Sequence, residues 1–212
     1  MLLDMGDGFT LREARATDQG GLSAIALQTG DRGGDATARE DDPELFGVIY
    51  ALPYQVIEPG FSFVLDHPQH GLCGYALAAP ATNRFYTIME EVWYKPLRLK
   101  LRDPGEDRTL WQGSDWARYA IHHPQYHFSR ELYAFPARLQ LQLLPQARGC
   151  GLGEKCLHFL MGQLAVAKVG GVHVQIDAAS LCRQAFFEHL GFLQVVGDNL
   201  PQDITFMARE LG

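Results

Sequence analysis

Between Ala137 and Asp177 the sequence reads strand, turn, helix, strand, and that succession narrows the possible folds more than anything else in the chain. Ala137 to Leu144 alternates, with Leu139, Leu141 and Leu143 set against Gln140 and Gln142. A glycine-rich turn follows. Leu152, Cys156, Phe159, Leu160, Leu164 and Ala167 then fall on one stripe at helical spacing, which predicts a helix over Leu152 to Lys168. Gly170-Gly171 stops it before an apolar strand, Val172 to Asp177. A strand, a crossover helix and a second strand in one sheet imply a right-handed connection and parallel neighbours. Beyond them the pattern predicts a helix over Ser180 to Leu190 and strands near Phe192 to Val196 and Ile204 to Arg209.

The turn itself is Arg148-Gly149-Cys150-Gly151-Leu152-Gly153. Glycines let main chain approach a ligand, and the first N-H groups of the following helix lack intrahelical acceptors. Together they favour an anion, with the helix dipole adding ~0.3 to 1 kcal/mol in an exposed setting. Arg148 could add a charge-assisted contact. The dinucleotide pattern would need glycine where Glu154 stands, and the phosphate loop of nucleotide hydrolases lacks its Gly-Lys-Ser/Thr end. The bland alternative is a glycine-rich turn with no ligand.

The N-terminal part predicts a strand at Phe9 to Ala14 and a helix capped by Thr17 or Asp18, ended by the Gly30 to Asp35 turn cluster. A second helix is expected from Pro43, with Asp42 as its cap, running toward Pro53. A hairpin is expected at Phe61 to Leu65 and Leu72 to Ala79, then a helical stretch from Asn83 to Arg102 interrupted at Pro96. Residues 103–133 form an insertion whose aromatics, Trp111, Trp116, Tyr119 and Tyr126, suit a segment packed onto the core. A 212-residue chain with 47% apolar residues supports a sizeable core, read as one domain over 1–212. The net charge of -7 and scattered Arg and Lys argue against nucleic acid, whose binding needs a clustered basic surface. No membrane span or leader is indicated, and four widely spaced cysteines, Cys73, Cys150, Cys156 and Cys182, suit free thiols in the cytoplasm.

Leu143-Leu144-Pro145-Gln146-Ala147-Arg148-Gly149-Cys150-Gly151-Leu152-Gly153 resembles the acetyl-CoA signature Q/R-x-x-G-x-G/A of the GNAT N-acetyltransferase superfamily, with Arg148, Gly151 and Gly153 at its fixed positions. Ala185-Phe186-Phe187-Glu188-His189-Leu190-Gly191-Phe192 is similar to that family's F-Y-x-x-x-G-F segment. Thr29-Gly30-Asp31, Asp35, Asp41 to Leu45, Pro53-Tyr54 and Ile121-His122-His123-Pro124 resemble a bacterial subgroup similar to the acetyltransferase-like domain of eukaryotic O-GlcNAcase. The resemblance implies an α/β (α+β) fold: a mixed, strongly twisted sheet of about six or seven strands flanked by helices. It implies acetyl-CoA as co-substrate, its pantetheine lying between splayed strands and its pyrophosphate on the amides of Arg148, Gly149, Cys150, Gly151, Leu152 and Gly153. An N-H near Leu143 or Leu144 would stabilise the oxyanion, with Ser180 and Phe187 completing the cofactor site. A C-terminal strand of this superfamily often takes part in homodimers.

The chain departs from that pattern at Phe187, where the family's usual acid is a tyrosine; Phe187 has no proton to give. Cys182, water or Tyr133 are the substitutes. The Leu139 to Leu144 strand also carries no carboxylate, so the base must come from elsewhere. Asp177 ends the next strand on the face of His173 and Gln175, with a cap or turn role as its alternative. His122 and His123 have side chains that titrate near neutrality, with ordinary loop residues as the alternative. No metal set is identified. Asp31, Asp35, Tyr54 and His122 are expected on the acceptor side, where the aspartates could draw in a cationic amine.

The expected function is transfer of acetyl from acetyl-CoA to a primary amine of a small molecule or peptide, by direct attack. The alternative is a pseudo-acetyltransferase acting as an acyl-CoA-binding or protein-interaction module, which Phe187 favours. Nucleotide or sugar-phosphate binding at the same turn is a third class.

Overall fold

The computed structural model describes residues 2–212. The chain begins with a hairpin of β1 (Leu2–Gly6) and β2 (Phe9–Glu13). Its turn, Gly6-Asp7-Gly8, has φ of 88°, 53° and 82°, a left-handed run that two glycines make cheap. Helix α1 (Gln19–Gln28) follows. Asp18 precedes it without capping it: the carboxylate instead takes both ends of the Arg12 guanidinium, at 2.7 and 2.9 Å, and the Arg15 amide at 2.7 Å.

Helix α2 (Glu44–Tyr50) has Pro43 in the cap position, one residue later than expected, with no side-chain cap from Asp42. The helix does not run on to Pro53; α3 (Leu52–Ile57) starts afresh, with Pro53 in its first turn. The expected hairpin is present as β3 (Ser62–His67) and β4 (Gly71–Ala79). Helix α4 (Thr82–Ile88) widens into a π-helical segment, Met89–Tyr94, and continues as the turn α5 (Lys95–Arg98). Pro96 therefore does not interrupt the helix as expected. The widened turn precedes a ring that cannot donate and would crowd the carbonyl four residues back.

The insertion packs down, built on α6 (Asp115–His122). Trp116 meets Phe46 edge-on at 4.8 Å and donates to Glu40 at 3.0 Å. Asp115, 1% exposed, accepts from Arg102 and Arg118. The C-terminal half then reads as expected: β5 (Ala137–Leu143), α7 (Leu152–Val166), β6 (Gly171–Asp177), α8 (Leu181–His189), β7 (Leu193–Val195) and β8 (Ile204–Glu210).

These strands form one 8-stranded sheet in the order β1-β2-β3-β4-β5-β6-β8-β7, β1 being an addition to the expected set. The β5–β6 pair is parallel and the others are antiparallel. Strand β8 lies between β6 and β7, so the sheet edges are β1 and β7. Alternation splits the apolar residues between two faces. Leu139, Leu141, Val174 and Ile176 join α7 and α8 on one face; Tyr75, Leu77 and Ala79 join α1 to α4 and α6 on the other. Among the described residues no helix is long and apolar enough to cross a membrane, and no cluster of His, Cys, Asp and Glu could hold a metal ion.

Candidate functional site

The site begins where two parallel strands stop being neighbours. Strands β5 and β6 are in register only at Ala137 with Val172 and Arg138 with His173. Past that point they part, while β5 stays paired with β4 as far as Leu143. The Leu144 amide donates to the Cys73 carbonyl at 2.8 Å. In an antiparallel ladder alternate residues turn their main-chain groups toward the same neighbour, so those of Leu141 and Leu143 face away from β4 into the cleft. Of the two oxyanion donors left open by the sequence, Leu144 is spoken for; Leu143, with Leu141 below it, is free.

At the mouth of this cleft the chain turns into α7. Gly149 and Gly151 have φ of 82° and 71°, and a Cβ on either would meet open space. Gly153 has ordinary backbone, but its Cβ would stand 3.3 Å from the Phe186 ring, so its smallness lets α7 pack closely on α8. The amides of Gly149, Cys150, Gly151, Leu152 and Gly153 find no acceptor in the protein. That is an anion cradle: successive donors at a helix N-terminus. Arg148 is turned back, its Nε on the Leu143 carbonyl and its Nη2 on the Gly33 carbonyl, both at 2.7 Å.

The latter contact ties the turn to the loop after α1. Arg32 in the same loop reaches Asp177 at 3.1 Å, so two guanidinium groups hold the loop across the open end of the cleft. Beneath the turn is a cavity of about 580 Å³ lined by Leu141, Leu143, Gly151, Ser180, Phe186 and Phe187. On the other face of the sheet, beside α1 and α2, a second cavity of about 390 Å³ is lined by Tyr75, Arg138, Gln140, Gln142 and Gln175, with Asp177 and Asp203 also in its wall. Arg32, Gln142 and Arg183 line both, so the two spaces adjoin.

The residues named from sequence divide accordingly. Asp177 lies in the second cavity, where it accepts from the Ala179 amide at 2.8 Å and from Arg32; the amide and the cation hold its carboxyl below the usual range. Its turn role and its place at the cleft are thus both real. Ser180 and Phe187 line the first cavity; Phe187 is 3% exposed and meets Phe192 edge-on at 5.1 Å. Cys182 lines it too and is exposed. Tyr133 is two-thirds exposed and packs on Phe128.

The structure does not bring the remaining residues to the cavities. His123 bonds Asp103 at 2.6 Å and stacks on Tyr119, while His122 bonds the Leu101 carbonyl at 3.0 Å; neither lines the cleft. Asp31 pairs with Arg39 at 2.8 Å, and Asp35 accepts from the Thr37 hydroxyl and amide, at 2.5 and 2.9 Å, turn contacts that lower its pKa. Tyr54 is buried against Phe85. Sequence reasoning missed Arg138, Tyr75 and Arg183. Arg138 stands two residues before Gln140 on the same strand face, which was the available signal.

No family model matches the chain. Solved structures do. SsHAT superposes with a TM-score of 0.87 at 26% identity, over 97% of this chain and 99% of that one. A GNAT superfamily phosphinothricin acetyltransferase from Sinorhizobium meliloti, in complex with AcCoA, has a TM-score of 0.55 at 21% identity over 97% and 89% of the two chains. N-acetylglutamate synthase from Neisseria gonorrhoeae, complexed with coenzyme A and N-acetyl-glutamate, has a TM-score of 0.54 at 13% identity over 98% of this chain and 36% of its own. The fold is that of the GNAT acetyltransferases.

Proposed function

We propose that this protein is an N-acetyltransferase that moves an acetyl group from acetyl-CoA to a primary amine of a small molecule by direct attack in a ternary complex. The observation that carries the reading is the row of unpaired amides from Gly149 to Gly153 at the mouth of a cleft walled by the free amides of Leu141 and Leu143 on β5. A pyrophosphate and a pantetheine arm fit those two features in turn, the arm lying along β5 as an added strand would. AcCoA and coenzyme A in the superposed structures support the same reading. The resemblance of Thr29-Gly30-Asp31, Pro53-Tyr54 and Ile121-His122-His123-Pro124 to the acetyltransferase-like domain of O-GlcNAcase supports reading the chain as a member of that subgroup, a single domain working in the cytoplasm.

The thioester supplies an activated acetyl group with a good leaving group, since a free thiol has a pKa of about 8.5. The free amide of Leu143, or of Leu141 below it, stabilises the oxyanion as the carbonyl is attacked. An N-C bond forms and the C-S bond breaks. The amine's proton passes through water to Asp177, the cavity carboxylate on β6. Phe187 cannot protonate the thiolate; it leaves as the anion, with the Arg183 guanidinium at the junction of the cavities offsetting its charge.

A thermal-shift titration followed by an amine panel tests this. Acetyl-CoA at 100 times its dissociation constant should add about 2.7 kcal/mol of stability, and CoA release should rise with some member of the panel. A shift without amine-dependent release marks an acyl-CoA-binding module, the reading Phe187 favours. No shift with CoA or acetyl-CoA, or a shift only with nucleotides or sugar phosphates, overturns the proposal.

A further inference from the structure

The second cavity holds a cation with no counter-ion. Arg138 projects from β5 at the last registered pair with β6, at the point of the V where the strands part. Its Nη1 donates to the Tyr86 hydroxyl at 2.8 Å, its guanidinium carbon lies 5.6 Å from the Tyr86 ring centroid, and its buried Nε has no partner. Among the described residues it makes no salt bridge. Arg183, half-buried on α8 and lining the same cavity, likewise has neither ion pair nor side-chain hydrogen bond, and burial pulls its pKa down. Tyr75, 1% exposed, lines the cavity with a hydroxyl that has no partner. The amides of Gln140, Gln142 and Gln175 complete the wall.

A guanidinium with a buried, unpartnered N-H and no anion is costly, and a cavity lined by one such group, a second half-buried guanidinium without a partner and an unsatisfied hydroxyl is built to receive the missing charge. We propose that the acceptor is an amino compound carrying its own carboxylate, and that Arg138 and Arg183 hold that carboxylate. This deepens, and rests on, the acetyl-transfer reading. The planar guanidinium fork matches a carboxylate bidentately, and the glutamine amides and the Tyr75 hydroxyl supply further donors. Arg138 lies three to five residues, roughly 10 to 17 Å along the strand, below the free amides of Leu141 and Leu143. That separation leaves room for a compact acceptor whose amine reaches up to the thioester. The carboxylates of the cavity do not neutralise Arg138 or Arg183: Asp177 is engaged by Arg32, and Asp203 is exposed.

The test is a panel of amino acids, each with its own carboxamide, and phosphoethanolamine as the phosphate-bearing control. CoA release and calorimetric binding to the protein-CoA complex are read in parallel. At least one acid should exceed its carboxamide by about 100-fold in kcat/KM. Arg138→Gln, at a residue that lines only the second cavity, should raise KM for that acid while leaving acetyl-CoA affinity unchanged; Arg183→Gln should raise KM for the acid and lower kcat as well, and thermal melts show that each variant folds. Equal use of acid and carboxamide, or preference for phosphoethanolamine, overturns the assignment and leaves acetyl transfer standing. Carboxylate binding to the CoA complex without turnover supports the cavity assignment and counts against transfer. Binding of no carboxylate, with acetyl-CoA bound, overturns it.

Discussion

Arg148 Nη2 donates to the carbonyl of Gly33 at 2.7 Å, joining the anion turn to a loop 115 residues earlier in the chain. With Nε on the Leu143 carbonyl, the same guanidinium fixes both the turn and the strand end that precedes it. Arg148→Ala should therefore weaken acetyl-CoA binding about tenfold, in keeping with the ~1.5 to 3 kcal/mol of charge-assisted hydrogen bonds, and speed hydrogen exchange in residues 30–35. Arg148→Lys should not restore either, because an ammonium cannot serve two carbonyls in fork geometry. Calorimetry and exchange measured on the same samples check both halves.

Gly151 sits at the start of α7 with φ of 71° and open space where a Cβ would go. Gly151→Ala should thus act through backbone strain alone, at about 1 to 2 kcal/mol, lowering Tm by roughly 2 to 8 °C. Acetyl-CoA affinity should fall with it, since a shift of the turn misaims the amides. An unchanged Tm with unchanged affinity would show that the turn tolerates the residue and that the cradle does not depend on this glycine.

The C-terminal half was legible because its periodicity is local: Leu139 to Leu143 alternates, Leu152 to Leu164 repeats at helical spacing, and glycines punctuate them. The strand at Leu2–Gly6 was missed, although Asp7-Gly8 is a hairpin dipeptide that could have signalled it. The insertion was not legible. Its shape depends on pairs such as Glu40 with Trp116 and Asp41 with Arg118, which join segments more than 70 residues apart. The acceptor side failed for a similar reason. Sequence spacing places Asp31, Asp35 and His122 near the right elements but cannot show that Arg39, Thr37 and the Leu101 carbonyl already occupy them. Arg138 has no local signal of burial; only the parting of β5 from β6 makes it a cavity residue.

His173 is 0% exposed, with Nδ1 on the Phe135 carbonyl at 2.8 Å and Nε2 unpartnered, and burial lowers its pKa to about 4. The unfolded chain takes up this proton near pH 6.5 and the folded protein only near 4, so the unfolded state binds more protons between the two. Stability from this site is complete above pH 6.5 and is lost as pH falls toward 4, by up to about 3 kcal/mol. His127, also lowered by burial, acts in the same direction. Urea denaturation from pH 4 to 7 should show this slope, and His173→Gln should flatten it.

Asp177 holds two contacts that a neutral amide keeps only in part. Asp177→Asn retains an acceptor for the Ala179 amide but loses the charge facing Arg32 and the proton acceptor of the cavity. The expected result is a fall in kcat of about 10²-fold, the low end of what a positioned base supplies, with Tm changed little because the ion pair is exposed. A kcat within twofold of the parent protein would remove Asp177 from the proton path.

Phe187 lines the first cavity while packing edge-on against Phe186 and Phe192, at 5.2 and 5.1 Å. Tyrosine at this place adds one oxygen to a ring that already borders the cleft, and it supplies a proton where the chain otherwise has none on that ring. If thiolate departure limits turnover, Phe187→Tyr should raise kcat by about tenfold, below the ~10² to 10⁴ of an evolved acid. It should also introduce a fall in rate at high pH as the phenol, with an ordinary pKa of about 10, ionises. A rise without that alkaline limb would mean the hydroxyl had changed packing and not proton transfer. No rise, with fold and acetyl-CoA affinity intact, would mean that the thiolate already leaves unaided, as the charge of Arg183 beside both cavities allows.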